Sequence, residues 1–192
     1  IQPRAALGLN LVALMAIVGD AVGMAELREL RSSLDVNFCA DYGQALAVML
    51  RGKVPLIYAS ARNRGIAYNW KIKFNETGKI PAFMNVFPEL NHNEMTGFDR
   101  NASSASLSHQ LQFIFLRDTE DHPRILRRME VCQQLYEQRG LSVEVVELEG
   151  EGFWKRACTS LLTADFACLR IAEANGAEPE RVLMVEEFKN MI

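Results

Sequence analysis

The sequence predicts an α/β fold: a three-layer αβα sandwich built on a parallel sheet, preceded by N-terminal helices. Three observations lead there. Four short apolar runs of strand length stand out, VPLIYA, AFMNVF, LQFIFL and VEVVEL. Helical patterns fall between and after them in the order βαβ–βαβα, the signature of parallel strands with helices on both faces. The chain has 192 residues and is 49% hydrophobic, enough for one full core.

Taken in order, residues 4–18 carry an amphipathic helical pattern entered through Pro3, and Gly19 and Gly23 interrupt it. Residues 24–34 read as a charged second helix or a continuation of the first, and residues 42–51 as a further short helix stopped at Gly52. The first strand covers 54–59, and the polar turn Ser60 to Gly65 leads into a helix over 66–76 that stops at Thr77-Gly78. The second strand is 82–87 and the third 111–116, with a serine-rich exposed loop, NASSASLSH, over 101–109. A long helix follows over 121–139, with Asp121 as its N-cap, Pro123 in its first turn and Gly140 as its stop. The fourth strand is 143–148, the next helix 152–174, and the last helix runs over 180–190 behind Pro179. Residues 1–52 are thus expected to form a helical segment packed on an α/β domain of residues 53–192. A chain that starts IQPRAALG, inside a helix start and without Met, reads as cut from a longer protein.

Composition removes several function classes. The formal charge is −3, with 21 Lys+Arg against 24 Asp+Glu, so no basic footprint for nucleic acid exists. The apolar stretch 7–18 is too short to span a bilayer. Cys39, Cys132, Cys158 and Cys168 form no C-x-x-C pair and read as small buried hydrophobes in a reducing, cytoplasmic setting. Neither a zinc-ligand cluster nor a nucleophile elbow is present.

The chemistry concentrates between Trp70 and Glu94. Glu76 ends a helix, where the macrodipole disfavours a carboxylate. It reads either as solvated surface or as a residue kept there for proton transfer. His92, in LNHNE, directly follows the second strand, at the end of a sheet where ligands gather. It reads either as a proton-transfer group or as a bystander beside capping asparagines. A strand of about six residues at roughly 3.3 Å each separates the two by about 20 Å. If both act on one substrate atom, two subunits must share the site. The turn Ser60 to Gly65, with Arg62 and Arg64, offers backbone N–H groups to an anion but matches no phosphate-loop spacing. His109 and His122 read as surface.

PRAALG (3–8), VPLIYAS (54–60), the NWK…FNE segment (69–76) and PELNHNEM (88–95) together resemble the bifunctional phosphoglucose/phosphomannose isomerases. The resemblance covers nearly the whole chain and corresponds to the second of that family's two SIS (sugar isomerase) domains. It implies a flavodoxin-like SIS fold. It also implies interconversion of glucose 6-phosphate and fructose 6-phosphate, and of mannose 6-phosphate, through a cis-enediolate, without metal or other cofactor. The cytoplasmic routes implied are glycolysis and gluconeogenesis. By this resemblance Glu76 is the base that moves the C1–C2 proton. His92 assists ring opening from the neighbouring subunit of a homodimer. Arg4 steadies the enediolate charge, and Lys189 on the last helix helps open the ring.

Two departures from the family pattern stand out. The N-terminal SIS domain that binds the sugar phosphate has no counterpart in these residues, which leaves Ser60 and Arg62 in the 60–65 turn, and the 101–108 loop, as candidates for that role. Glu180 falls where the family has a threonine near the sugar C1–C2 end, which adds bulk and negative charge and puts the mannose 6-phosphate activity in question. A non-catalytic sugar-phosphate-binding SIS module is the alternative reading.

Overall fold

Even and odd residues of the strands face different layers, and this sets the architecture. The computed structural model describes residues 2–99 and 103–192, so Asn101 and Ala102 of the serine-rich loop lie outside the described residues. Four parallel strands, β1 (Val54–Ser60), β2 (Phe83–Phe87), β3 (Leu111–Arg117) and β4 (Val143–Glu147), form one sheet in the order β2-β1-β3-β4. In β1, Ile57 and Ala59 point into one core while Leu56 and Tyr58 point into the other. β3 divides likewise, Ile114 and Leu116 against Phe113 and Phe115. The central strands are therefore apolar on both faces, and the expected three-layer sandwich forms.

The first core is closed by α3 (Val36–Met49), α4 (Arg64–Glu76) and α6 (Phe153–Ala174). Trp70 of α4 is fully buried there, and its indole N–H donates to Ser160 Oγ of α6 at 2.9 Å. Burial of so large a ring is favourable only because its one polar atom keeps a partner. The second core is closed by α5 (Pro123–Gln138) and by the turns after β2, with Met129, Cys132 and Tyr136 packed on Phe113 and Phe115. Burial pushes the Cys132 thiol up to about 11. All four cysteines are free thiols, and Cys39, Cys132 and Cys168 are buried.

Several local expectations need correction. Residues 4–18 are not one amphipathic helix. A 3₁₀ turn over Pro3–Ala5 precedes α1 (Leu7–Val18), and only Met15 of α1 is buried, while Leu9, Val12, Leu14, Ile17 and Val18 are exposed. Gly19 ends α1 with φ 74°, but Gly23 interrupts nothing. It lies buried inside α2 (Ala21–Ser33), where its N–H bonds the N-cap Asp20 side chain at 2.9 Å. The third helix starts at Val36 rather than 42, because Asp35 caps it through Phe38 N–H. Asp121 does not cap α5. His122 does, its Nδ1 accepting from Arg124 N–H at 3.1 Å, and Asp121 is instead buried beside Asn63. The last helix, α7, begins at Leu183 rather than 180. Among the described residues no helix is long and apolar enough to cross a membrane.

α3 and α6 touch backbone to backbone at Gly43. A Cβ there would stand 2.6 Å from Phe166 Cβ and 2.9 Å from Thr163 O. Gly43→Ala is therefore expected to destabilise the fold, although alanine is the better helix former. Overpacking costs about 1–3 kcal/mol, against roughly 1 kcal/mol gained in helix propensity. Urea unfolding, read as a lower midpoint at unchanged slope, checks it.

Candidate functional site

α4 delivers Glu76 to the amino-terminal edge of the sheet and then turns sharply into β2. The turn needs Gly78 for a close approach, since a Cβ would lie 2.9 Å from Phe74 O. The left-handed residue is the next one, Lys79, with φ 56°. Its ammonium donates to the Glu76 carbonyl at 2.6 Å and also reaches Arg181 O. A cation thus satisfies the negative end of α4 beside a carboxylate that the macrodipole would disfavour.

Arg4 completes the site from the N-terminal 3₁₀ turn. Its side chain is 9% exposed and spreads its fork over two chain segments, 76–77 and 179–180. Nε donates to Thr77 Oγ1 at 3.0 Å, Nη1 to Glu76 Oε2 at 3.3 Å, and Nη2 to the carbonyls of Pro179 and Glu180 at 2.8 and 2.7 Å. A planar guanidinium supplies donors in the directions this junction needs, and an ammonium would not. Beside it opens a cleft of about 640 Å³ lined by Arg4, Thr77, Asp165, Leu169, Pro179 and Glu180, among others. Lys73, 4% exposed, pairs with Asp165 at the cleft wall. Burial pushes the Asp165 carboxyl up, and Lys73 and Arg4 oppose that shift.

His92 sits at the opposite, carboxyl end of β2, exposed on a turn built by its neighbours. Leu90 is fully buried in the second core and pins the turn from below. Glu94 accepts from the Tyr58 hydroxyl and from Asn85 Nδ2. Asn93 accepts from Glu94 N–H, so it caps the following 3₁₀ turn while the imidazole next to it stays in solvent. Because Tyr58 is fully buried, Glu94→Ala is expected to remove the carboxylate that its hydroxyl and Asn85 share and to cost about 1–3 kcal/mol. Thermal unfolding checks the loss, and amide exchange at 89–95 is expected to speed up with it.

The sequence candidates therefore fall into three groups. Arg4 and Glu180 line one cleft and Glu76 stands beside it, paired with Arg4, while Glu180 meets Arg4 through its backbone carbonyl and keeps its side chain exposed. His92 lies at the opposite end of β2 from Glu76, and Lys189 is exposed in the last turn of α7 (Leu183–Met191). Ser60 and Arg62 lie at the carboxyl end of β1. The Ser60 hydroxyl accepts from Asn63 N–H at 3.2 Å, and Arg62 is engaged with Glu120.

Thr77, Lys73, Asp165 and Glu94 escaped the reading of the sequence. Asp165 left a signal, an aspartate inside the apolar run LLTADFACL. The others left none, because each has a partner distant in sequence, 36 residues away for Glu94, 73 for Thr77 and 92 for Lys73. Among the described residues no group of three or more His, Cys, Asp and Glu side chains is placed to hold a metal ion.

Comparison with known proteins places the chain in a family. Residues 40–192 match the family described as bacterial phospho-glucose isomerase C-terminal SIS domain. A bifunctional phosphoglucose/phosphomannose isomerase of Aquifex aeolicus is 28% identical over 98% of this chain and 58% of its own length. One of Caldicellulosiruptor bescii is 30% identical over 100% of this chain and 60% of its own. The chain thus spans about three fifths of the length of these relatives. A crystal structure of a glucose-6-phosphate isomerase like protein from Thermus thermophilus superposes with a TM-score of 0.64 at 14% identity, covering 83% of this chain and 56% of that one. At that identity the likeness carries the fold alone.

Proposed function

The chain belongs to the bacterial phospho-glucose isomerase C-terminal SIS-domain family, and from that premise we propose that it is the catalytic half of a sugar-phosphate aldose–ketose isomerase. Glucose 6-phosphate and fructose 6-phosphate are the substrates proposed, with mannose 6-phosphate as a further one. The observation that carries the reading is the Arg4–Glu76 pair, 3.3 Å apart beside a cleft large enough for a hexose. Glu76, at 44% side-chain exposure, is accessible to a substrate carbon.

In this reading Glu76 takes the proton from C2 of the open-chain aldose and returns it to C1, and the hydroxyl proton moves between O2 and O1. Net atoms are unchanged. The enediolate formed between the two transfers carries negative charge on oxygen, and Arg4 holds a permanent cation toward it. Lys189 and the partner subunit's His92 assist ring opening. A homodimer is proposed because β2 holds His92 and Glu76 at opposite edges of one sheet. Residues 53–192 act as the SIS domain, with residues 1–52 packed on it. α3 shares in that core through Leu46 and Leu50. A cytoplasmic enzyme of glycolysis and gluconeogenesis fits this chemistry.

Glu180 favours a second reading, because a carboxylate at the cleft rim repels an anionic sugar phosphate. It would leave a binding module without turnover. Incubating the intact protein with glucose 6-phosphate and with mannose 6-phosphate separates the two. Formation of fructose 6-phosphate supports the isomerase. Saturable binding with no product overturns it in favour of the module.

A further inference from the structure

The sheet order β2-β1-β3-β4 places its topological switch point between β1 and β3, where the chain leaves the two strands in opposite directions. Open α/β sheets bind ligands in the crevice outside the carboxyl ends of such strands. Here that crevice already holds a carboxylate. Arg62, from the loop after β1, donates to Glu120 Oε2 at 2.9 Å and to the Glu120 carbonyl at 2.9 Å. Arg156, from the first turn of α6, donates to Glu120 Oε1 at 2.8 Å, and its Nη2 stands 2.7 Å from Oε2. Two guanidinium forks closing on one oxyanion is the arrangement by which proteins hold carboxylate and phosphate alike.

We propose that the β1/β3 switch point is an oxyanion-binding site occupied in cis by the Glu120 carboxylate, and that inorganic phosphate takes that place when the carboxylate is removed.

Three further observations support a site rather than an ordinary surface ion pair. Arg156 is buried, with a side chain 6% exposed, whereas its occupant Glu120 is 52% exposed and stands at the mouth of the crevice. The occupant is therefore reachable from solvent while the cation behind it is not. Next, the lining holds unused capacity. Arg156 Nε makes no hydrogen bond, although Asp118 Oδ1 lies 3.4 Å away, and Arg156 as a residue is only 5% exposed. Finally, the acids of the floor are already committed. Asp118 accepts from Asn63 Nδ2 at 3.1 Å and from Glu120 N–H at 3.0 Å. Burial, with Asp118 alongside, raises the Asp121 carboxyl, while the Ser60 hydroxyl and Asn63 oppose the shift. Without the Glu120 side chain, two arginines face Asp118 and Asp121, and the local balance shifts from one net negative charge to neutral. With Glu120 in place, the fork of Arg62 is engaged, although its side chain is 44% exposed.

The test compares the intact protein with Glu120→Ala, and with the near-isosteric Glu120→Gln should the alanine variant fail to fold. Inorganic phosphate is the probe, against sodium chloride of matched ionic strength. Phosphorus NMR titration and the thermal midpoint are the readouts. The variant is expected to bind phosphate at least about tenfold more tightly than the wild type, with the thermal midpoint rising with phosphate and not with chloride. Adding Arg62→Ala is expected to abolish the effect. Equal phosphate affinity in wild type and variant overturns the proposal, as does an effect that survives Arg62→Ala, or a folded variant indifferent to phosphate. None of these outcomes depends on isomerase turnover, so the site stands or falls apart from that reading.

Discussion

Glu76→Gln in the intact protein is expected to lower C1–C2 proton exchange by about 10²- to 10⁴-fold, the usual contribution of a positioned general base. The amide keeps the shape of the side chain and a carbonyl oxygen that can still accept from Arg4 Nη1, now 3.3 Å from Oε2. It cannot accept a proton from carbon. Sugar-phosphate affinity is expected to stay within about threefold, since the lost function is specific to the transition state. Proton NMR in deuterated buffer reads the exchange at C1 and C2 directly. Exchange at the wild-type rate would remove Glu76 from the chemistry. A large loss of binding with exchange retained would make it a binding residue.

Arg4→Met is the second large effect, and it is expected on two readouts at once. Turnover is expected to fall by about 10²- to 10³-fold, the loss seen when one oxyanion stabiliser is removed. Stability falls as well, because Arg4 ties the N-terminal turn to the α4–β2 turn and to the 179–180 loop. Each hydrogen bond from a charged donor is worth about 1.5–3 kcal/mol, and the Pro179 and Glu180 carbonyls lose theirs together. Arg4→Lys separates the two roles. It keeps the charge but has no fork to bridge the 76–77 and 179–180 segments, so part of the turnover is expected to return while the thermal midpoint stays low. A lysine variant with wild-type stability would show that the guanidinium geometry does not hold the junction. A methionine variant with wild-type turnover would remove Arg4 from the oxyanion role.

Glu94 shows why a motif and its role are separable. In sequence it belongs to LNHNE and shares the polar character of its neighbours. In the structure it turns inward to the Tyr58 hydroxyl and Asn85, while His92, two residues before it, faces solvent. Asp121 shows the same from a helix start. It stands in a good capping position by sequence, yet it is drawn into the crevice with Asn63, and His122 caps the helix in its place. Local propensity is a weak preference, and a buried hydrogen-bond partner elsewhere outweighs it.

The sequence alone determined the layers, the parallel sheet, the position of Glu76 at a helix end and the separation of His92 from it. Hydrophobic period and strand length are local quantities, and they survive folding unchanged. The family motifs were likewise local strings. Tertiary structure alone decided what Arg4 touches, since its partners lie 72 to 176 residues away. It also decided that Arg62 pairs with Glu120, 58 residues distant. Charge pairing across a sheet depends on which loops the strand order brings together, and no spacing along the chain encodes that order.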